Sequence, residues 1–97
     1  MCTMIVETAK ISGSGKGASG WFTLGQVNVA YDHPFNAPLE YALNVDFVNA
    51  IEGPGARVAV ELSPESAREL VKTILAALDR AEAGGFVEPA ALAAVTG

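Results

Sequence analysis

The run Ser12-Gly13-Ser14-Gly15-Lys16-Gly17-Ala18-Ser19-Gly20 is the first stretch of this chain whose residue types suggest chemistry. Glycine permits positive φ and close backbone approach, so successive N–H groups can be aimed at an anion, and Lys16 adds a charge. A phosphate loop of the Gly-x-x-x-x-Gly-Lys-Ser/Thr kind needs Ser or Thr after its lysine and a helix behind it. Here Gly17 follows the lysine, and residues 21–31 alternate as a strand does. The spacing therefore predicts a glycine-serine loop over Gly13–Gly20 joining two strands. An anion contact through Lys16 is the functional alternative to a plain hairpin connection.

His33 is the single histidine. Imidazole serves as a general base or a metal ligand near neutral pH, and Asp46 or Glu40 would be its partner in a small hydrolase or isomerase. Asp32 and His33 are adjacent and point apart in extended backbone, so they form no ready dyad. A surface histidine in a turn before Pro34 is the simpler reading. His33 and Asp46 are thus the catalytic candidates, and Lys16, His33 and Arg57 the candidate ligand contacts. Cys2 follows Met1, where some amidotransferases carry their nucleophile, but 97 residues are far too few for that fold. A structural thiol is expected instead. One cysteine makes neither an internal disulfide nor a cysteine-built zinc site. No cofactor and no metal are called for.

These residues must be positioned by strands and one helix. Thr3 to Ser12 alternates, with Ile5, Ala9 and Ile11 against Val6, Thr8 and Lys10. Trp21, Thr23, Val27, Val29 and Tyr31 alternate with Phe22, Leu24, Gln26, Asn28 and Ala30, and Gly25 marks a bulge. Asp32 to Leu39, with Pro34 and Pro38, is a loop. Glu40 to Asn49 is the cleanest strand, with Tyr41, Leu43, Val45 and Phe47 on one side. Gly53-Pro54-Gly55 is a turn, and Val58, Val60 and Leu62 point inward from a last strand. Ser63 then caps a helix with Pro64 in its first turn. Ala67, Leu70, Val71, Ile74, Leu75, Leu78 and Ala81 form its apolar stripe, and Gly84-Gly85 ends it. A short helical tail over Pro89–Val95 completes the pattern. The expected fold is α+β in one domain over residues 1–97: a four-stranded antiparallel sheet, then one long helix packed on one face (ββββα). The other sheet face mixes Phe22, Leu24, Ala30, Ala42, Val48 and Ala59 with Gln26, Asn28, Asn44, Asp46, Arg57 and Glu61. That is too apolar for plain solvent and too polar for a core.

The totals narrow the function classes. Half the chain is apolar (51%) and only 18% is charged, which excludes disorder. The formal net charge is −5 and the six basic residues are dispersed, which argues against nucleic acid. No apolar run approaches the ~18 residues of a membrane helix, and no signal-peptide pattern opens the chain. The cytoplasm is the expected compartment. A mean hydropathy of +0.32 leans toward self-association.

Met1-Cys2-Thr3, the Ser12–Trp21 glycine run, Asp32-His33-Pro34, Leu43-Asn44-Val45-Asp46-Phe47 and the segment from Gly53 to Leu62 resemble a group of small uncharacterised bacterial proteins, chiefly actinobacterial. The likeness spans nearly the whole chain. It implies no assigned activity, and so no functional residue to carry over. Members with further histidines near this turn have Asn36 and Tyr41 as their counterparts here, which does not favour a metal site. The expectation is a non-catalytic, self-associating domain, a homodimer or larger homo-oligomer. The alternatives are an anion- or small-molecule-binding module and a His33-dependent enzyme.

Overall fold

A computed structural model describes residues 3–87. Cys2 and the expected tail over Pro89–Val95 lie outside the described residues. Four strands, β1 (Ile5–Gly17), β2 (Gly20–Asp32), β3 (Ala42–Val48) and β4 (Arg57–Leu62), are followed by one helix, α1 (Pro64–Ala83). The chain divides into two compact units, 1–64 with the sheet and 65–97 with the helix.

The sheet is an antiparallel meander in the order β1-β2-β3-β4. Its register joins Val27 to Phe47 and Phe47 to Val58, Val29 to Val45 and Val45 to Val60, and Tyr31 to Leu43 and Leu43 to Leu62. Facing residues share a side of the sheet, so the apolar face expected from alternation is the one that forms. The opposite face carries Asn28 opposite Asp46 and Asn44 opposite Glu61.

The Gly13–Gly20 loop is not there. β1 runs through Gly17, β2 begins at Gly20, and only Ala18 and Ser19 connect them. Gly20 closes this turn at φ 115°, a conformation open to glycine. The other glycines alternate: Gly13 pairs with Leu24, Gly15 with Phe22 and Gly17 with Gly20. The Phe22 ring and the Leu24 methyls lie over Gly15, where an added Cβ would come within 2.9 Å of Leu24 Cδ2. Large cross-strand side chains thus fill what the glycines leave bare. The register slips between Lys10 and Gly13, placing Ile11 and Ser12 against Gly25. The extra residue is on β1, and a bulge bends a strand and increases its twist. Beyond it the hairpin tip approaches the start of β4, where a Cβ at Gly17 would sit 3.1 Å from the Gly55 carbonyl.

α1 covers the expected span, with Pro64 first and Arg80 in the last turn. Gly85, at φ 75°, supplies the left-handed exit, and Phe86 N–H donates back to Ala81 O at 2.9 Å. Of the expected stripe only Ala67 is buried. Among the described residues the buried apolar side chains are Phe22, Ala42, Ala56 and Ala67, and no large side chain is fully buried. Among them, too, no helix is long and apolar enough to cross a membrane.

Candidate functional site

The polar sheet face and the loop 33–41 enclose a shallow hollow of about 350 Å³ whose lining includes Asn28, His33, Asn44, Asp46, Arg57 and Glu61. Two of the three candidate ligand contacts, His33 and Arg57, meet there with the catalytic candidate Asp46. Lys16 lines a different hollow, of about 250 Å³, with Trp21, Leu24, Phe47 and Val58. Its backbone lies in the β1–β2 ladder, opposite Trp21, so residues 12–17 are a paired strand rather than an anion cradle.

Each group in the polar hollow has a structural partner. Arg57 Nε donates to Asp46 Oδ1 at 2.7 Å, a diagonal pairing across β3 and β4. That bond and the Asp46 charge hold the guanidinium above its already high range. The pair is a surface one, with side chains 52% and 29% exposed, and adds no more than about 1 kcal/mol. His33 Nδ1–H donates to the backbone carbonyl of Glu40 at 2.8 Å, so Glu40 contributes its main chain here. The imidazole stacks on Tyr41 at 4.8 Å, and Tyr41 stacks on Tyr31 at 5.9 Å.

Glu61 is the residue whose role alternation could not show. Its carboxylate accepts N–H bonds from Phe35 (2.6 Å), Asn36 (3.0 Å) and Ala37 (2.8 Å). Three successive N–H groups of this kind form an anion cradle, and the chain's own carboxylate occupies it. The bonds from Ala37 and Phe35, with that from Asn36, outweigh desolvation and hold Glu61 below the usual carboxylate range. A lowered folded-state pKa contributes stability that is present above the unfolded value, about 4.3. It is lost as pH falls through the folded value. Glu61→Gln therefore flattens the acid limb of a melting-temperature profile below about pH 4.5, by up to about one proton in slope. Thermal melts of both proteins between pH 3 and 6 check this. Parallel acid limbs would mean that the clasp is not a carboxylate clasp.

The charges of the hollow do not suit an anion. Asp32, Asp46 and Glu61 line it, and its guanidinium is already bonded to Asp46. Among the described residues no group of three or more His, Cys, Asp and Glu side chains is placed to hold a metal.

A four-stranded meander followed by one helix, with a self-satisfied polar hollow on one sheet face, defines a small α+β domain. The chain belongs to the family of unknown function DUF6295, whose model matches residues 1–87. Comparison with curated proteins and with solved structures gives no match.

Proposed function

We propose that this protein works by self-association, as a homodimer without catalytic machinery of its own. The observation that carries the reading is the state of its apolar side chains. Leu70, Val71, Ile74, Leu75 and Leu78 on α1 stand between 46% and 56% exposed. In the sheet unit Ile5, Val6 and Trp21 are more than half exposed. Each large aliphatic side chain taken fully out of water contributes about 1.5–3 kcal/mol, and a stable fold of this size has little stability to spare. A second copy is the commonest way to cover such surface, and closed two-fold symmetry is its commonest form. The commitment of Arg57 to Asp46, of Glu61 to the 35–37 backbone and of His33 to the Glu40 carbonyl supports a structural use of the polar face.

Light scattering at two well-separated concentrations tests this. A mass of about twice the chain's 10.0 kDa at the higher concentration is expected. A mass of one chain at both concentrations would overturn the proposal.

A further inference from the structure

We propose that β1 pairs edge to edge and antiparallel with β1 of a second copy, in the register centred on Thr8. This rests on the self-association reading and adds the surface and alignment that self-association uses in the sheet unit. β1 ends the strand order, so one side of its backbone faces away from β2. All its residues from Ile5 to Lys10 are exposed, and the neighbours Ile5 and Val6, on opposite faces, are 53% and 61% exposed. Natural edges are guarded by prolines, charged side chains, bulges or shortness. Over residues 5–10 this edge has no proline, carries only Glu7 and Lys10, and meets its bulge just beyond, at Ile11 and Ser12.

The occupant follows from self-complementarity. In a two-fold antiparallel pair the axis stands perpendicular to the sheet, so facing residues lie on the same face. Centring on Glu7 sets two carboxylates against each other. Centring on Val6 or Ala9 sets Glu7 against Ile5 or Ile11. Centring on Thr8 places Thr8 opposite Thr8, Ile5 opposite Ile11, Glu7 opposite Ala9 and Lys10 opposite Val6. Only this register joins the isoleucines and keeps like charges from facing each other. Directly opposed Thr and aliphatic pairs are favourable units of sheet pairing. Two four-stranded sheets then continue as one.

Cysteine cross-linking in a Cys2→Ser background reads the register. Opposed Cα atoms of antiparallel strands lie about 4.5–5.5 Å apart, within the range a disulfide spans. Thr8→Cys is expected to give a covalent dimer under mild oxidation. Val6→Cys is expected to give none, because its two copies would be four residues apart along the pair, about 13 Å. Thr8 is exposed and its hydroxyl donates to Asn28 Oδ1 at 3.0 Å, an exposed contact, so circular dichroism should report an intact fold. Hydrogen exchange on the unmodified protein needs no variant: amides over 5–11 should gain protection as concentration rises. A dimer by light scattering with no Thr8 cross-link, a Val6 cross-link instead, or no concentration-dependent protection over 5–11 would overturn the β1 pairing and leave self-association standing. A monomer would remove both.

Discussion

Ile74→Glu is expected to turn the proposed dimer into monomers while leaving the helix formed. Ile74 lies at the middle of the α1 stripe, with Leu70, Val71, Leu75 and Leu78 around it, and is half exposed in one chain. If a second copy covers the stripe, each dimer buries two copies of this side chain. Each is already half covered within its own chain, so their loss removes about half of the 1.5–3 kcal/mol for full burial from each copy, about 1.5–3 kcal/mol per dimer. The carboxylates add the cost of entering an apolar contact unpaired. At about 1.4 kcal/mol per tenfold, association weakens at least ~10-fold. Glutamate forms helix slightly better than isoleucine, so circular dichroism should not change. Lys72→Ala, on the polar side and paired only at the surface with Glu69 (3.5 Å), should keep the dimer. Sedimentation velocity across a concentration series compares the three proteins. An Ile74→Glu protein that sediments as the parent does would show that the stripe is not part of the contact.

How much of this was legible in the residues differs from element to element. The helix was legible because its signals are local: Ser63-Pro64 at one end, Gly84-Gly85 at the other, and three- and four-residue apolar spacing between. The faces of β2, β3 and β4 were legible because side chains alternate with period two, and the register keeps Val27, Phe47 and Val58 together. Residues 13–17 were misread for a physical reason. Glycine and serine weigh locally toward a loop. What makes the segment a strand lies across the ladder, in the Phe22 and Leu24 side chains that cover Gly15. The same error created the anion cradle around Lys16, whose backbone lies within the β1–β2 ladder.

On the polar face, the gathering of Asn28, Asn44, Asp46, Arg57 and Glu61 follows from alternation alone. What each does there does not. The Glu61 clasp joins residues 24 to 26 positions apart and depends on how an irregular loop returns to β4. Pro34 and Pro38 announce a loop but not its path. An acidic residue on a sheet face next to a proline-bounded loop is a weak signal that loop amides need an acceptor. The Tyr31–Tyr41–His33 stack was half legible. Tyr41 was placed on the side of Leu43, whose strand partner is Tyr31, while the position of His33 against Tyr41 is again loop geometry.

Phe22→Ala should be the most damaging single truncation in the sheet unit. Phe22 is 8% exposed and is the one large side chain among the buried apolar residues described. Its ring lies 3.4 Å from where a Gly15 Cβ would stand and 3.3 Å from where a Gly17 Cβ would stand. It therefore packs on bare glycine backbone, beside the Leu24 methyls over Gly15. A site of this kind collapses poorly, which places the cost in the usual range for Phe→Ala, about 3–5 kcal/mol. For a domain of this size about 1 kcal/mol moves the melting midpoint by ~4–8 °C, so a fall of well over 10 °C is expected. Trp21, the next residue and 71% exposed, provides the comparison. Its ring is larger, but Trp21→Ala removes contacts that water already shares, and should cost within about 1 kcal/mol. Both melts are run at one protein concentration, because the stability of an associating protein depends on it. If Trp21→Ala proved the more damaging, the hairpin would be held by its exposed ring at a contact between copies, and the glycine-backed packing of Phe22 would not be what keeps β1 and β2 bent over the start of β4.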